Sequence, residues 1–318
     1  MPSSIELKVV KPQRSPFTGL GLFSVVRNES YFLPFFFSHY RSLGVEHFLI
    51  YDDRSDDETR DFLHAQADCT IVTSEHRFGD EFGAGRRLPL ALKESVPETA
   101  FPGKWALTVD ADEFVVLPSE FRDLVELTRH LDQRSALFAT APMVDFYGAT
   151  LADRAYPRSL SPFEGAPYFD AGPYYAWTGE THPQRFVAGV RFRLMAALRH
   201  RFPQAFASIY NGDPTPAALW KTPLLKHGLG VTRLGDHGVR AIPTGDVEIA
   251  LAHFKFYPDL DAKIRSALSE GQYYNASMEY RFLEAATRLM GDDSLIAGMT
   301  RRFTGPQSLE DAGLIRVR

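Results

Sequence analysis

The sequence predicts an α/β fold carried on a largely parallel sheet, and three observations predict it. From Leu20 to about Tyr147 short apolar runs alternate with amphipathic stretches, the rhythm of β-α-β units. Capping and stop residues separate the two kinds of segment. Acidic residues follow directly on two of the apolar runs, at the strand ends where open α/β sheets place their ligands.

Taken in order, Leu20 to Val26 reads as a first buried strand. Asn28 can cap a helix from about Glu29 to Ser42, with Pro34 tolerated near its start and Gly44 as its stop. His47 to Tyr51 is a second strand, ending on Asp52-Asp53-Arg54-Ser55-Asp56-Asp57-Glu58. Ser55 or Asp56 is then expected to cap a helix through about Ala67, its acidic first turn complementing the dipole. Cys69 to Thr73 is the third strand and Trp105 to Val109 the fourth. A helix over Ser119 to Gln133 and a strand over Ala136 to Val144 follow. From about Ala149 to Pro243 the texture changes to loops rich in Pro, Tyr and Gly, with Arg191, Arg193, Lys226 and His227 among them. Asp261 to Met290 reads as two terminal helices divided near Gly271, and no internal repeat is present.

A chain of 318 residues, 44% hydrophobic, can bury a sizeable core, and one main domain with a smaller lobe is expected. The formal net charge of -5 and pI near 6.1 argue against nucleic acid as a partner, because displacing counterions from phosphates needs a basic face. Cys69 is the single cysteine, which excludes internal disulfides and thiolate zinc sites. A reducing, cytoplasmic compartment fits that usage. No run of about twenty apolar residues occurs, so no membrane span is expected, while peripheral contact at the inner face of a membrane stays open.

The chemistry concentrates at strand ends. In extended backbone, residues i and i+2 point the same way, so Asp110 and Asp112 can present two carboxylates to one side, where a hard cation such as Mg²⁺ or Mn²⁺ could bridge them to phosphate oxygens. A solvated acidic turn is the competing reading. As a strand-end group Asp112 is expected to be exposed and to add little to the core. Asp52 and Asp53 could accept hydrogen bonds from a ribose or a base, or only begin a turn. Arg27, Asn28 and Glu29 face the same edge, with a capping role as their alternative. His253 could add a metal ligand and Lys255, two residues on, could meet diphosphate charge, although a lone histidine in an apolar run is more often a core residue. Arg86 and Arg87, and at least one of Arg191 and Arg193, could reach a phosphate in bidentate fashion, with an ordinary surface role as the alternative. Hydrolase and Gly-rich phosphate-loop signatures are absent.

Four motifs in order carry a family resemblance: Val26-Arg27-Asn28-Glu29, His39 through Val45, His47 through Asp56, and Trp105 through Asp110-Ala111-Asp112-Glu113-Phe114. Together they resemble the family 2-like glycosyltransferases of the GT-A fold, especially the bacterial subset with a strand-end Asp-x-Asp-Glu-Phe. The resemblance covers about the first 120 residues. It implies a Rossmann-like sheet flanked by helices, a nucleotide-sugar cosubstrate (commonly a UDP-sugar), and a Mn²⁺ or Mg²⁺ ion. It puts Asp52 near the nucleoside, Asp110 near the ribose or metal, Asp112 as the direct metal ligand and His253 as a later one, with Ala111 between the two aspartates counted among the cofactor-binding residues. It also implies inversion at the anomeric centre, with a carboxylate as base, for which Asp236 and Glu180 are the candidates. Arg27 stands where lysine is frequent in the family, and the turn after the second strand lacks the usual Asn and Gly.

On this reading residues 1–148 form the nucleotide-sugar-binding half, 149–256 the acceptor-binding and metal-completing half, and 257–318 a C-terminal helical segment. The expected reaction moves a hexose-like unit to a glycan or lipid-linked acceptor, as in cell-surface polysaccharide biosynthesis. A nucleotidyltransferase, which also uses strand-end carboxylates and a metal, is one alternative. A glycan-binding protein of the same fold without turnover is the other.

Overall fold

In the computed structural model the structure describes residues 5–13, 17–82, 86–172, 175–176, 184–185, 189–210, 219–234, 238–240, 246–271 and 273–317. Four parallel strands make the centre of a 13-stranded mixed sheet: β2 (Leu20–Val26), β3 (Val45–Asp52), β4 (Cys69–Thr73) and β5 (Trp105–Thr108), in the order β4-β3-β2-β5. Strand β1 (Lys8–Lys11) closes one edge antiparallel to β4. This is the mixed α/β architecture the alternating pattern predicts.

Both faces of the centre are covered, which is why its strands are apolar throughout. Side chains alternate across the sheet, so Leu22, Phe48 and Ile50 join one core while Phe23, Leu49 and Tyr51 join another. Helices α1 (Phe32–Ser42) and α2 (Thr59–Ala65) lie on the first face, and α3 (Leu88–Ala100) on the second. Helix α1 buries Phe32, Leu33, Phe36, Phe37 and Tyr40, then stops before Gly44, whose φ of 90° is costly for a residue with a Cβ.

Beyond β5 the sheet turns antiparallel and irregular. Strand β6 (Glu113–Val116), helix α4 (Leu124–Gln133), strand β7 (Phe138–Tyr147), the four-residue helix α5 (Pro162–Gly165) and strand β8 (Tyr168–Asp170) follow. A short ribbon of β9 (Tyr175–Ala176) and β10 (Gln184–Arg185) precedes helices α6 (Val190–Arg201) and α7 (Pro203–Ile209). Strand β11 (Trp220–Lys226) inserts between β5 and β7, antiparallel to both. A ribbon of β12 (Thr232–Leu234) and β13 (Gly238–Arg240) leads to β14 (Val247–Glu248) and β15 (Ala250–His253), which run parallel to β7. Helices α8 (Leu260–Glu270) and α9 (Tyr274–Met290) meet at Gly271, and β16 (Thr300–Arg302), α10 (Pro306–Asp311) and β17 (Arg316–Val317) end the fold. Among the described residues no helix is long and apolar enough to cross a membrane.

Three local expectations need correction. Asn28 does not cap α1: it takes a φ of 54°, and its side chain bonds to Asp56, Oδ1 accepting from the Asp56 N–H at 2.9 Å. Ser55 does not cap α2 either, because its hydroxyl accepts the Asn28 N–H at 3.0 Å. These side chains tie two strand-end loops together instead of closing helix ends. Third, the stretch read as loops from Ala149 to Pro243 contains α6, α7 and the central strand β11, so Arg191 and Arg193 are helical. Pro223 inside β11 argues against a central strand on sequence grounds. It is tolerated because it sits where the register with β7 slips between Lys221 and Leu224.

Candidate functional site

Because β2, β3 and β5 are parallel, the residues after each of them emerge at one edge of the sheet. After β2, Arg27 bonds to Glu270 of α8 at 2.9 Å and lies 3.5 Å from Asp53, while Glu29 pairs with Lys263 of α8 at 2.7 Å. After β3, neighbouring carboxylates part company because successive side chains leave a strand on opposite faces. Asp52 accepts from the Ser55 N–H at 3.1 Å and pairs with Arg60 at 2.9 Å. Asp53 turns toward Arg27 and accepts the Phe78 N–H at 3.2 Å. Its Oδ1 is buried and meets no partner among the described residues. Burial raises the Asp53 carboxyl above its ordinary value, against the opposing pull of Arg27. Phe78, whose N–H this carboxylate accepts, packs its ring 4.9 Å from that of Tyr273.

The acidic cluster is assembled by strand register. Phe114, buried against Phe36 and Phe254, fixes β6 beneath α1, and Tyr40 adds bonds to the Glu113 carbonyl and the Val115 N–H. Strand β15 pairs antiparallel with β6, setting His253 opposite Glu113, and parallel with β7, setting His253 opposite Asp145. The Phe254 N–H donates to the Asp112 carbonyl at 2.9 Å, which draws the two chain segments together. As a result one ligand atom each of Asp112, Glu113 and His253 lies within 4.8 Å of the others.

Asp110 is not in that group. Its carboxylate accepts from Lys93 of α3 at 2.8 Å and from Lys221 of β11 at 3.1 Å. Asp112 instead meets Lys255 at 3.3 Å and His253 Nε2 at 3.5 Å. Nor is Asp112 the exposed group that a strand end suggests, since its side chain keeps only 17% exposure. Glu113 accepts from Lys221 at 2.5 Å and from the Asp110 N–H at 3.1 Å. Asp145, fully enclosed, bonds to His253 Nδ1 at 2.6 Å and to Arg191 at 2.7 Å, and Arg191 reaches on to Glu279 of α9 at 2.6 Å.

Charge pairing outweighs burial at each step. Burial alone would raise Asp112, yet Lys255 and His253 hold its carboxyl well below the usual range. Burial would lower Lys255, yet Asp112 carries it well above its ordinary value, and His253 is raised in the same way by Asp112 and Asp145. Asp145, against its burial, is held at about 2 by Arg191 and His253. A neutral imidazole that donates Nδ1–H to Asp145 keeps its Nε2 lone pair facing Asp112, the orientation a metal-ligating histidine needs. The oxygen and imidazole donors of Asp112 and His253 suit a hard or borderline divalent ion, whereas Glu113 is already engaged by Lys221.

Of the other sequence candidates, Ala111 is buried inside the turn between Asp110 and Asp112. Arg87 immediately precedes α3, its backbone bridged to Glu81. Asp236 and Glu180 lie outside the described residues. Sequence reasoning missed Lys93, Lys221, Lys263, Asp145 and Glu279. Asp145 did carry a signal, as a carboxylate within the otherwise apolar run Phe138 to Tyr147. The lysines and Glu279 sit in ordinary helical or apolar surroundings and carry none.

No family profile matches the chain, and no curated protein matches its sequence. Among solved structures it is similar to S. aureus TarS, with TM-score 0.32 and 16% identity over 45% of this chain and 24% of TarS. The 1-349 piece of S. aureus TarS in complex with UDP gives TM-score 0.30 and 16% identity over 41% of this chain and 37% of that one. A UDP-glucose pyrophosphorylase complexed with UDP-glucose gives TM-score 0.26 and 11% identity over 93% and 96%. This chain thus spans well under half the length of either TarS chain. Likenesses this distant carry no functional argument, which rests on the residues themselves.

Proposed function

We propose that this chain is a metal-dependent glycosyltransferase of GT-A type that moves a sugar from a UDP-sugar donor to a glycan or lipid-linked acceptor, with inversion. The observation that carries the reading is the convergence of Asp112 and His253 at the carboxyl edge of a parallel sheet, with Lys255 beside them and Arg27 and Asp53 on the neighbouring strand ends. Asp112 and His253 would hold Mn²⁺ or Mg²⁺, and Asp145 fixes the histidine ring. When bound, the ion supplies charge neutralisation of the departing diphosphate. Lys255 is within reach of the same diphosphate charge once it exchanges its contact with Asp112. Asp53, with a buried oxygen lacking a partner among the described residues, is the better placed of the two strand-end aspartates to accept from a nucleobase N–H, and the neighbouring Phe78, which donates its N–H to it, packs its ring on Tyr273. Asp110, gripped by Lys93 and Lys221, orients the turn and faces the ribose.

The test is calorimetry of UDP into the wild-type protein with and without Mn²⁺, followed by UDP release from a panel of UDP-sugars. Metal-dependent UDP binding and UDP release are expected. Release of pyrophosphate from a nucleoside triphosphate would favour a nucleotidyltransferase instead, and glycan binding without UDP release from any donor would point to a non-catalytic protein.

A further inference from the structure

An inverting transfer needs a base near the donor, and the two residues the sequence offered for it lie outside the described residues. The described carboxylates joined to the cluster can be sorted by what already holds them. Asp112 and Glu113 face the cation position and Lys221, Asp145 is enclosed between His253 and Arg191, and Glu29 is paired with Lys263. Asp110 is engaged by lysines on both of its oxygens. Glu279 differs. It projects from α9 at the end of the chain of contacts Asp112–His253–Asp145–Arg191, and its side chain is 44% exposed, more than any other carboxylate of this group.

Arg191 holds one Glu279 oxygen, Oε1, at 2.6 Å and fixes Asp145 with its Nε, so a single guanidinium ties the exposed carboxylate to the residue that orients His253. The second oxygen of Glu279 has no partner among the described residues. This is the geometry of an oriented acceptor: one oxygen anchored by Arg191, the other without a partner among the described residues, on a side chain that keeps 44% exposure next to the Asp112–His253–Asp145 chain of contacts.

We propose that Glu279 is the catalytic base, a role that rests on the glycosyltransferase reading. Its carboxylate takes the proton from the acceptor hydroxyl as that oxygen bonds to the anomeric carbon of the donor. The bond from that carbon to the phosphate oxygen breaks with its electron pair, so UDP leaves, and the glutamic acid returns its proton to water. The charged groups facing Glu279 are Arg191 from α6 and Lys255 and His253 from the β15 segment. Lys255, with Arg191 and His253, holds the carboxyl below its ordinary value, which keeps it ionised at neutral pH.

The experiment compares wild type, Glu279→Gln and Glu279→Asp in two assays: UDP binding with Mn²⁺ by calorimetry, and UDP release from a panel of UDP-sugars with Mn²⁺ and water as acceptor. Gln keeps the bond to Arg191, and the thermal midpoint checks that the variant folds. Glu279→Gln should bind UDP within about twofold of wild type yet release it at least about 100-fold more slowly, with Glu279→Asp in between. Release by Glu279→Gln within about threefold of wild type overturns the assignment. Loss of UDP binding in step with loss of release also overturns it, since Glu279 would then serve donor binding. If wild type itself releases no UDP from any sugar in the panel, the glycosyltransferase reading fails, and this proposal with it.

Discussion

Replacing Asp112 with Asn should cost both metal-dependent binding and stability. The carboxylate lies 3.3 Å from Lys255 and 3.5 Å from His253, with side-chain exposures of 17%, 17% and 5%. Removing one partner of a fully buried ion pair costs about 3–5 kcal/mol, and the residual exposure here brings the expectation to about 2–3 kcal/mol. For a chain of this size about 1 kcal/mol moves the midpoint by roughly 2 °C, so Asp112→Asn should melt about 4–6 °C lower at pH 7. The pH dependence has a definite sign. A carboxyl depressed in the folded state contributes stability that is fully present above its unfolded value of 3.8 and is lost as pH falls toward the folded value. The gap between wild type and variant should therefore be constant above about pH 5 and close below about pH 4. Thermal denaturation followed by circular dichroism across that range reads it. In calorimetry with Mn²⁺, UDP affinity should fall by more than the about 10–100-fold typical of losing a residue that merely supports a ligand. An unchanged midpoint at pH 7 would refute the ion-pair argument, and wild-type UDP affinity would remove Asp112 from the proposed metal site.

The neighbouring strand end separates two aspartates. Asp53→Asn should weaken UDP binding by about tenfold with little change in melting, whereas Asp52→Asn, losing Arg60 and the Ser55 N–H, should cost about 1–2 kcal/mol of stability and leave UDP affinity intact; the reverse pattern would exchange their roles. On the opposite face, burial against Phe17 lowers the His47 imidazole from 6.5 to about 4. The unfolded chain then binds the proton first, so stability should fall by about 3 kcal/mol as pH drops from 6.5 to 4 through this residue alone. His47→Phe, which keeps the ring, should flatten that part of the stability curve in urea titrations, and an unaltered slope would show that His47 is not responsible.

How much was legible beforehand follows from the range of the forces involved. The strands Leu20–Val26 and Cys69–Thr73 and the helix break at Gly271 are set by local apolar runs and backbone preference, so they could be read residue by residue. So could the acidic triplet at the end of an apolar strand. The strand Trp220–Lys226 could not, because Pro223 is acceptable only where the pairing register slips, and register belongs to two strands at once. Nor could the difference between Asp110 and Asp112. Their spacing suggests one shared direction, but the turn after β5 and the lysines of α3 and β11 take Asp110 one way while β15 draws Asp112 the other.

By itself the sequence determined the sheet centre, the helices α1 and α2 on one of its faces and the edge where charged groups collect, since these follow from periodicity within about ten residues of chain, whereas α3 on the other face was not read from it. Tertiary structure alone decided which charges meet. Asp112 and His253 are 141 positions apart in sequence, and only the antiparallel pairing of β15 with β6 makes them neighbours. Low-dielectric contact energy acts through space, and the order of residues along the chain does not reveal it.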